Sequence, residues 1–438
     1  MLKKMVHLSY WVLLVVGFQD VLGQPADTLG AKKELTVDVE LRARTELRNG
    51  YRQLRLDTTT AAFYTGQRTR LNIGYRHPKY RLQLSAQDVR VWGDTDPRST
   101  KGSIQLFEGY GDLLFGKVFF VRAGRQRVMY DNQRLFAQND WRHNANVHDG
   151  VTVHYEGGKV NTELGAFFNQ TGEQLFTTDF SPSGYSNYKL LVVHHLKAKL
   201  GKEATVTTIQ AADGFQDATD KTKMRMRYTQ GGRAEWEHGQ WYATMSGYYQ
   251  YGHTTSDKSI RAFYMQPEVK FSTLDKKLWV RLGAEWMSGD DAQNTDDATT
   301  YRSFVALYGV AHRFNGYMDF FTSFPTDLGN AGLINPYGFV QYQFSPKGFV
   351  RADCHWFYSH HPFVQDGQAM DTYLGFENDC IVNYALNEVT KLELGVSWAS
   401  PTDALAAIKH SGNANLTPYW GYLMLTFKPE IFRSGKKG

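Results

Sequence analysis

The chain offers charge, not nucleophiles or metal ligands, as its raw material for chemistry. From Arg122 to Gly150 it carries Arg122, Arg125, Arg127, Arg134 and Arg142, interleaved with Tyr130, Phe136 and Trp141 and with Asp131, Asp140 and Asp149. Upstream, Arg42, Arg44, Arg68, Arg70 and Arg81 fall on one parity of alternating segments. A guanidinium keeps its proton and grips a carboxylate through two parallel hydrogen bonds. Several such stations in series hold an anion without trapping it, and their summed field draws anions in. These ten arginines are therefore the candidate substrate pathway, with Arg134 and Arg142 assigned to a constriction. A structural reading competes, because Asp38, Glu40, Asp88, Asp131, Asp140 and Asp149 can pair with them and brace a wall. It weighs at least equally for Arg125 and Asp149, and Arg125 has the opposite parity to Arg122 unless a bulge intervenes.

Other reactive types are poorly placed. His194 and His195 are adjacent, so a strand sends them to opposite faces, and His360 and His361 precede Pro362 at an expected turn. Asp290, Asp291, Asp296 and Asp297 could hold a hard cation, but carboxylates in a polar loop are more often simply solvated. No other cofactor and no reaction are implied, so the chain is not read as an enzyme. Cys354 and Cys380 are the only cysteines. If the strands holding them form a hairpin, Cys354 faces about residue 377, and a disulfide needs a favourable register.

The elements that carry these residues read as β-strands throughout. In ELTVDVELRART, Leu35, Val37, Val39, Leu41 and Ala43 share one parity, and Thr36, Asp38, Glu40, Arg42 and Arg44 the other. Side chains alternate across a sheet, so one face is apolar and the other charged. QRTRLNIGY and YRLQLSAQ repeat the pattern, and similar segments follow to YWGYLMLTF. Short turns such as HPK, EGGK and SPKG alternate with long polar connections, which is the layout of an outer-membrane barrel. Counting gives 17 to 19 strands, with weak alternation near 103–115 and 300–312, and the even number 18 is chosen. A barrel of that size is too wide for side chains to fill, so its lumen must hold water or folded-in loops. The fold class is all-β, a transmembrane antiparallel barrel. Tyr75, Tyr80, Tyr248, Tyr249, Tyr251, Trp356, Phe357, Tyr358, Tyr419, Trp420 and Tyr422 sit where interfacial belts are expected.

The termini set the compartment. MLKK followed by an apolar run, with Val21 and Gly23 before Gln24, reads as a signal peptide over 1–23. A leader over 24–34, a barrel domain over 35–432 and a basic tail over 433–438 complete the division. The formal net charge is +5, too mild to point to nucleic acid. No later segment has the roughly 20 apolar residues of a spanning helix.

The stretch RAGRQRVMYDNQRLFAQNDWRHNANVHDGV resembles the alginate export family. Gly124, Arg125 and Gln126 match its Gly-Arg-Gln element, Gln133, Arg134 and Leu135 its Gln-Arg-Leu, Trp141 and Arg142 its Trp-Arg pair, and Asp149 with Gly150 its Asp-Gly. EWMSGDD resembles its Ser-Gly-Asp loop through Gly289 and Asp290, and LYGVAHRFNGYMDFF its later segment through His312, Gly316, Tyr317 and Asp319. The chain departs from the pattern at its end, where Phe427 or Phe432 must close the last strand ahead of a tail. The resemblance implies an outer-membrane channel passing an anionic, alginate-like polysaccharide or small anionic solutes. It implies outer-membrane lipid, the barrel-assembly machinery and periplasmic export components as partners. The alternative is a general porin, or a structural outer-membrane protein with a loop-plugged barrel.

Overall fold

The computed structural model of the chain describes residues 33–94, 103–176, 188–293 and 298–434. The expected signal peptide, nearly all of the leader, Asp296, Asp297 and residues 435–438 lie outside the described residues.

Eighteen long strands close into one antiparallel barrel. They are β1 (Glu34–Asn49), β2 (Ala62–His77), β3 (Tyr80–Val91), β4 (Gln105–Phe115), β5 (Phe119–Gln126) and β6 (His148–Gly157). Then come β7 (Val160–Phe168), β8 (Leu190–Leu200), β9 (Ala204–Gln216), β10 (Met224–His238), β11 (Trp241–His253) and β12 (Ser259–Ser272). The last are β13 (Leu278–Met287), β14 (Leu333–Ser345), β15 (Gly348–Ser359), β16 (Tyr373–Ala385), β17 (Thr390–Pro401) and β18 (Tyr419–Phe427). Each pairs with its neighbours in sequence, and β18 returns to β1 with Leu41 opposite Phe427 and Asn49 opposite Tyr419. Glu430–Arg433 continues β18 past a bulge, so that Phe432 lies opposite Val37. Closure leaves no unpaired edge, which hydrocarbon would penalise by several kcal/mol per exposed backbone group, an order of magnitude set by the loss of water.

Alternation places the charge inside. Arg42 faces Arg68 and Arg70 faces Gln87 on the inner side of β1, β2 and β3. On the outer side Leu71, Leu82, Leu84, Leu164, Leu282 and Leu423 are 40–57% exposed, whereas Arg68 is fully buried. Exposed leucine with buried arginine inverts the soluble-protein pattern and fits a sheet whose outside is lipid. The weak alternation near 103–115 has a local cause. The β3–β4 register shifts between Ser85 and Ala86, a bulge that leaves adjacent Phe107 and Glu108 both buried. Residues 300–312 contribute only the two-residue strand Thr300–Tyr301, because the chain there turns into the lumen. The belt expectation needs correction: Tyr249, Tyr251 and Trp356 are exposed on the outside, but Tyr248, Phe357, Trp420 and Tyr422 are buried on the inner parity. Cys354 lies opposite Asn378, one residue from the expected register, and both thiols are free.

Two long connections, 127–147 and 302–332, fold inward and meet. Phe136 and Tyr308 form a parallel bridge, and Tyr308 N–H donates to Leu135 O at 2.9 Å. Around this contact Tyr130, Leu135, Phe136, Phe304, Met318, Phe320 and Phe321 pack against Leu191, Val193, Ile209 and Trp420 of the wall. The helix Asp403–Lys409, capped by the Thr402 side chain, buries Leu405 and Ile408 on the same core. The large apolar core among the described residues is thus a plug, in which the inward connections pack on inner-face strand residues such as Leu191, Ile209, Tyr264 and Phe357. Replacing fully buried Phe136 by alanine is expected to cost the plug about 3–5 kcal/mol. Hydrogen exchange should rise across 127–147 and 302–312 while the barrel keeps its heat-modifiable gel mobility.

Candidate transport constriction

The even positions of β1 and β2 point four arginines at the first inward segment. Arg42 donates to Asp140 O at 2.6 Å and to Arg142 O at 2.9 Å. Arg44 donates to Trp141 O at 2.9 Å and lies 4.1 Å above the Trp141 ring. Arg68 donates to Asp140 Oδ1 at 2.8 Å and also pairs with Glu40. Arg70 bonds Gln87 Oε1 at 2.7 Å and stands 3.6 Å from Asp140. Asp140-Trp141-Arg142 is therefore strapped to an arginine ladder. Burial alone would raise the Asp140 carboxyl, but the Arg68 hydrogen bond and charge, with Arg42 and Arg70, hold it below the usual carboxylate range. Burial drives the neighbouring His143 down to about 3, reinforced by Arg44, Arg42 and Arg68.

Arg134 secures the middle of the plug. It donates to Val310 O at 2.8 Å, Asn315 Oδ1 at 2.8 Å and Glu285 Oε2 at 3.1 Å. Glu285 in turn accepts from Tyr264 at 2.5 Å and Asn315 at 2.8 Å. A second junction forms at Asp319, where His312 Nδ1 lies 2.7 Å from one carboxylate oxygen and the Tyr51 hydroxyl donates to the other. His312 is sandwiched between Trp141 and Tyr317, with ring centroids 4.2 and 4.3 Å away. Gly316 permits this packing: its φ is +76°, and a Cβ there would sit 2.3 Å from Glu377 Oε1.

The remaining predicted residues divide by face. Arg81 and Arg122 share Asp112, at 2.8 and 2.7 Å, and are partly open to the lumen. Arg127 pairs with Glu108 at 2.9 Å. Arg125 stands on the outer parity and makes a two-pronged pair with Asp149 at 2.9 and 2.7 Å. Gly124 and Gly150 face each other across β5 and β6. A Cβ on Gly124, whose φ is +123°, would be 2.3 Å from Gly109 O. Gln126 bonds Gly150 O at 3.3 Å and accepts from Thr152 at 3.1 Å. Gly289 N–H donates to His360 Nδ1 at 3.1 Å, and the Asp290 carboxylate accepts from Arg302 N–H at 2.5 Å and Ser303 at 3.1 Å.

Sequence reasoning missed Arg313. It is exposed to the lumen, and its guanidinium donates to Asn132 O and lies 5.1 Å from the Phe314 ring centroid. Desolvation by the surrounding wall lowers its pKa, and Arg281, Arg351 and Arg233 add to the effect. Its neighbour His312 belonged to the recognised segment, so the missing signal was depth in the lumen. Towards the short-turn end, a cavity of about 250 Å³ is lined by Glu34, Thr36, Arg76, Arg81, Tyr110 and Arg122, among others.

Residues 33–416 match the sequence model of the alginate export family. This chain belongs to that family. A search of curated protein sequences finds no match. Among solved structures, Pseudomonas aeruginosa OccK9 (OpdG) is similar with TM-score 0.63 and 13% identity, covering 91% of this chain and 98% of its own. Acinetobacter baumannii OccAB1 is similar with TM-score 0.60 and 13% identity, over 91% and 97%. Pseudomonas aeruginosa OpdK crystallised with vanillate gives TM-score 0.59 at 10% identity, over 90% and 98%. Family and fold make the chain an outer-membrane β-barrel channel.

Two outcomes test the constriction. Arg134→Met strands the buried Glu285 charge and is expected to cost about 3–5 kcal/mol, read as faster proteolysis within 128–140. Adding Glu285→Leu should recover most of that loss. His143 is held neutral below its ordinary 6.5, so its contribution is complete above that pH and is lost as pH falls towards 3. Each unit of acidification in that window weakens the strap by about 1.4 kcal/mol. His143→Gln should flatten the acid limb of a hydrogen-exchange profile.

Proposed function

We propose that the protein is a loop-constricted porin for small solutes with a preference for anions. One observation carries the reading. Arg42, Arg44, Arg68, Arg70 and Arg134 are buried and engaged with the plug or with wall residues, so they brace the constriction. Among the described residues, the cations that keep surface open to the lumen include Arg76 and Arg313, with Arg81, Arg127, Arg281 and Arg122 partly exposed. Spaced guanidinium groups of this kind select anions by pairing weakly and repeatedly. A solute entering from the short-turn end meets the cavity beside Arg76 before it meets Arg313 on the inward segment.

Family membership favours a second reading, passage of an anionic polysaccharide. On that reading both inward segments swing clear, since a sugar polymer is too bulky for the plugged lumen. Planar-bilayer recording separates the two. A small-solute porin gives low, anion-selective conductance in the resting state, and Arg313→Ala lowers the reversal potential measured across a potassium chloride gradient. Block by polyuronate but not by neutral glucan supports the polymer. Cation selectivity in the parent protein would overturn both.

A further inference from the structure

One strip of the outer wall breaks the apolar rule. β8, β9 and β10 set His194, Gln210 and Gln230 side by side in register. All three take the outward parity, since Leu191, Val193, Ile209 and Arg227 on the other parity are buried inside. Each stands at or beside the midpoint of its strand, and Trp236 and Trp241 mark the outward rim at the short-turn end. The strip is therefore set in hydrocarbon, where an amide without a partner is penalised because no water reaches it. His194 is provided for: its Nε2 lies 2.8 Å from the Thr162 hydroxyl, which itself donates to His195 O at 3.0 Å. Gln210 and Gln230 are exposed, and among the described residues neither side chain has a hydrogen-bond partner. Across the barrel, Val382, Leu394 and Leu423 form the matching outward row on β16, β17 and β18, and that row is wholly apolar.

The wall beside the glutamines is also hollow. Thr208, Gly232 and Gly247 form the next outward row, and a Cβ on Gly247 would meet nothing within 4 Å. The barrel's own packing does not call for glycine there. Small residues beside polar ones let two membrane-embedded surfaces approach closely and bond across the gap. We propose that this strip is the contact face between two copies of the chain, joined side by side in the membrane about a twofold axis through Gln210. A primary amide both donates and accepts, so Gln210 can exchange two N–H···O bonds with the Gln210 of a second copy, as a twofold contact requires. Every copy crosses the membrane in the same direction, so a second copy brings its glutamines to the same depth. The outward positions of β8, β9 and β10 hold no Asp, Glu, Lys or Arg. Closing the contact thus buries no charge.

Cysteine cross-linking of the full-length protein in outer-membrane vesicles tests the contact, on a background of Cys354→Ala and Cys380→Ala. Gln210→Cys should oxidise to a covalent dimer in at least about tenfold higher yield than Leu394→Cys, because a disulfide needs Cα atoms within about 7 Å. Gln210→Leu combined with Gln230→Leu should keep the heat-modifiable gel mobility of the folded barrel. Sedimentation equilibrium in mild detergent should show its self-association weakened by about tenfold or more, and Gly247→Trp, which fills the hollow, should act in the same direction. Equal cross-linking at the two cysteine positions, or a double variant that associates like the parent, overturns the dimer. A Gln210→Cys adduct with another polypeptide, or a monomeric parent that retains lipopolysaccharide only while the glutamines are present, also overturns it by giving the strip a different occupant.

Discussion

The structure depends on one constraint: the polar face of a closed sheet must be satisfied within a lumen too wide for its own side chains to span. Arginine on β1 and β2 reaches inward but cannot touch the far wall. The chain meets the need by sending two of its own connections inside, and their carbonyls and Asp140 become the acceptors. A guanidinium with up to five donors can bridge several carbonyls at once, which is why Arg42 alone ties Asp140 and Arg142. The same constraint explains Glu285, which would be an isolated buried charge without Arg134, Tyr264 and Asn315 around it.

Once the segments are inside, they create the protein's apolar core. Phe136, Tyr308, Phe320 and Phe321 are buried between the two segments and the apolar residues that the inner face does carry, such as Leu191, Val193 and Phe357. The plug is therefore held in two ways, by aromatic packing at its centre and by charge-assisted hydrogen bonds at its edges. Asp319 joins three connections at one carboxylate, through Tyr51, His312 and the stack of His312 on Trp141. Movement of one inward segment must disturb the other, since Trp141 and His312 belong to different segments and share a ring face.

Much of the wall was legible in the sequence. Alternation such as Leu71 and Ile73 against Arg70 and Asn72 has a period of two that only a strand satisfies, and it told the inner face from the outer. It failed at Phe107 and Glu108, where a bulge breaks the period, and at Trp420 and Tyr422, where strand aromatics turn inward to meet the plug. The arginines were legible as residues and not as roles. Charge spacing shows that Arg42 and Arg68 face the lumen, but it carries no record of which acceptor will arrive there.

The sequence by itself determined the barrel, because strand periodicity and turn length are local properties written in neighbouring residues. The outward apolar face of that barrel agrees with placement in the outer membrane. Tertiary structure alone decided which guanidinium groups are engaged and which stay open. Asp140 meets Arg68 across 72 positions, and Arg134 meets Glu285 across 151. Such pairings form only when a closed lumen excludes bulk water and forces distant polar groups to satisfy one another. Arg313, unremarkable beside His312 in the sequence, likewise reaches Asn132 O across 181 positions and still keeps exposed surface in the lumen.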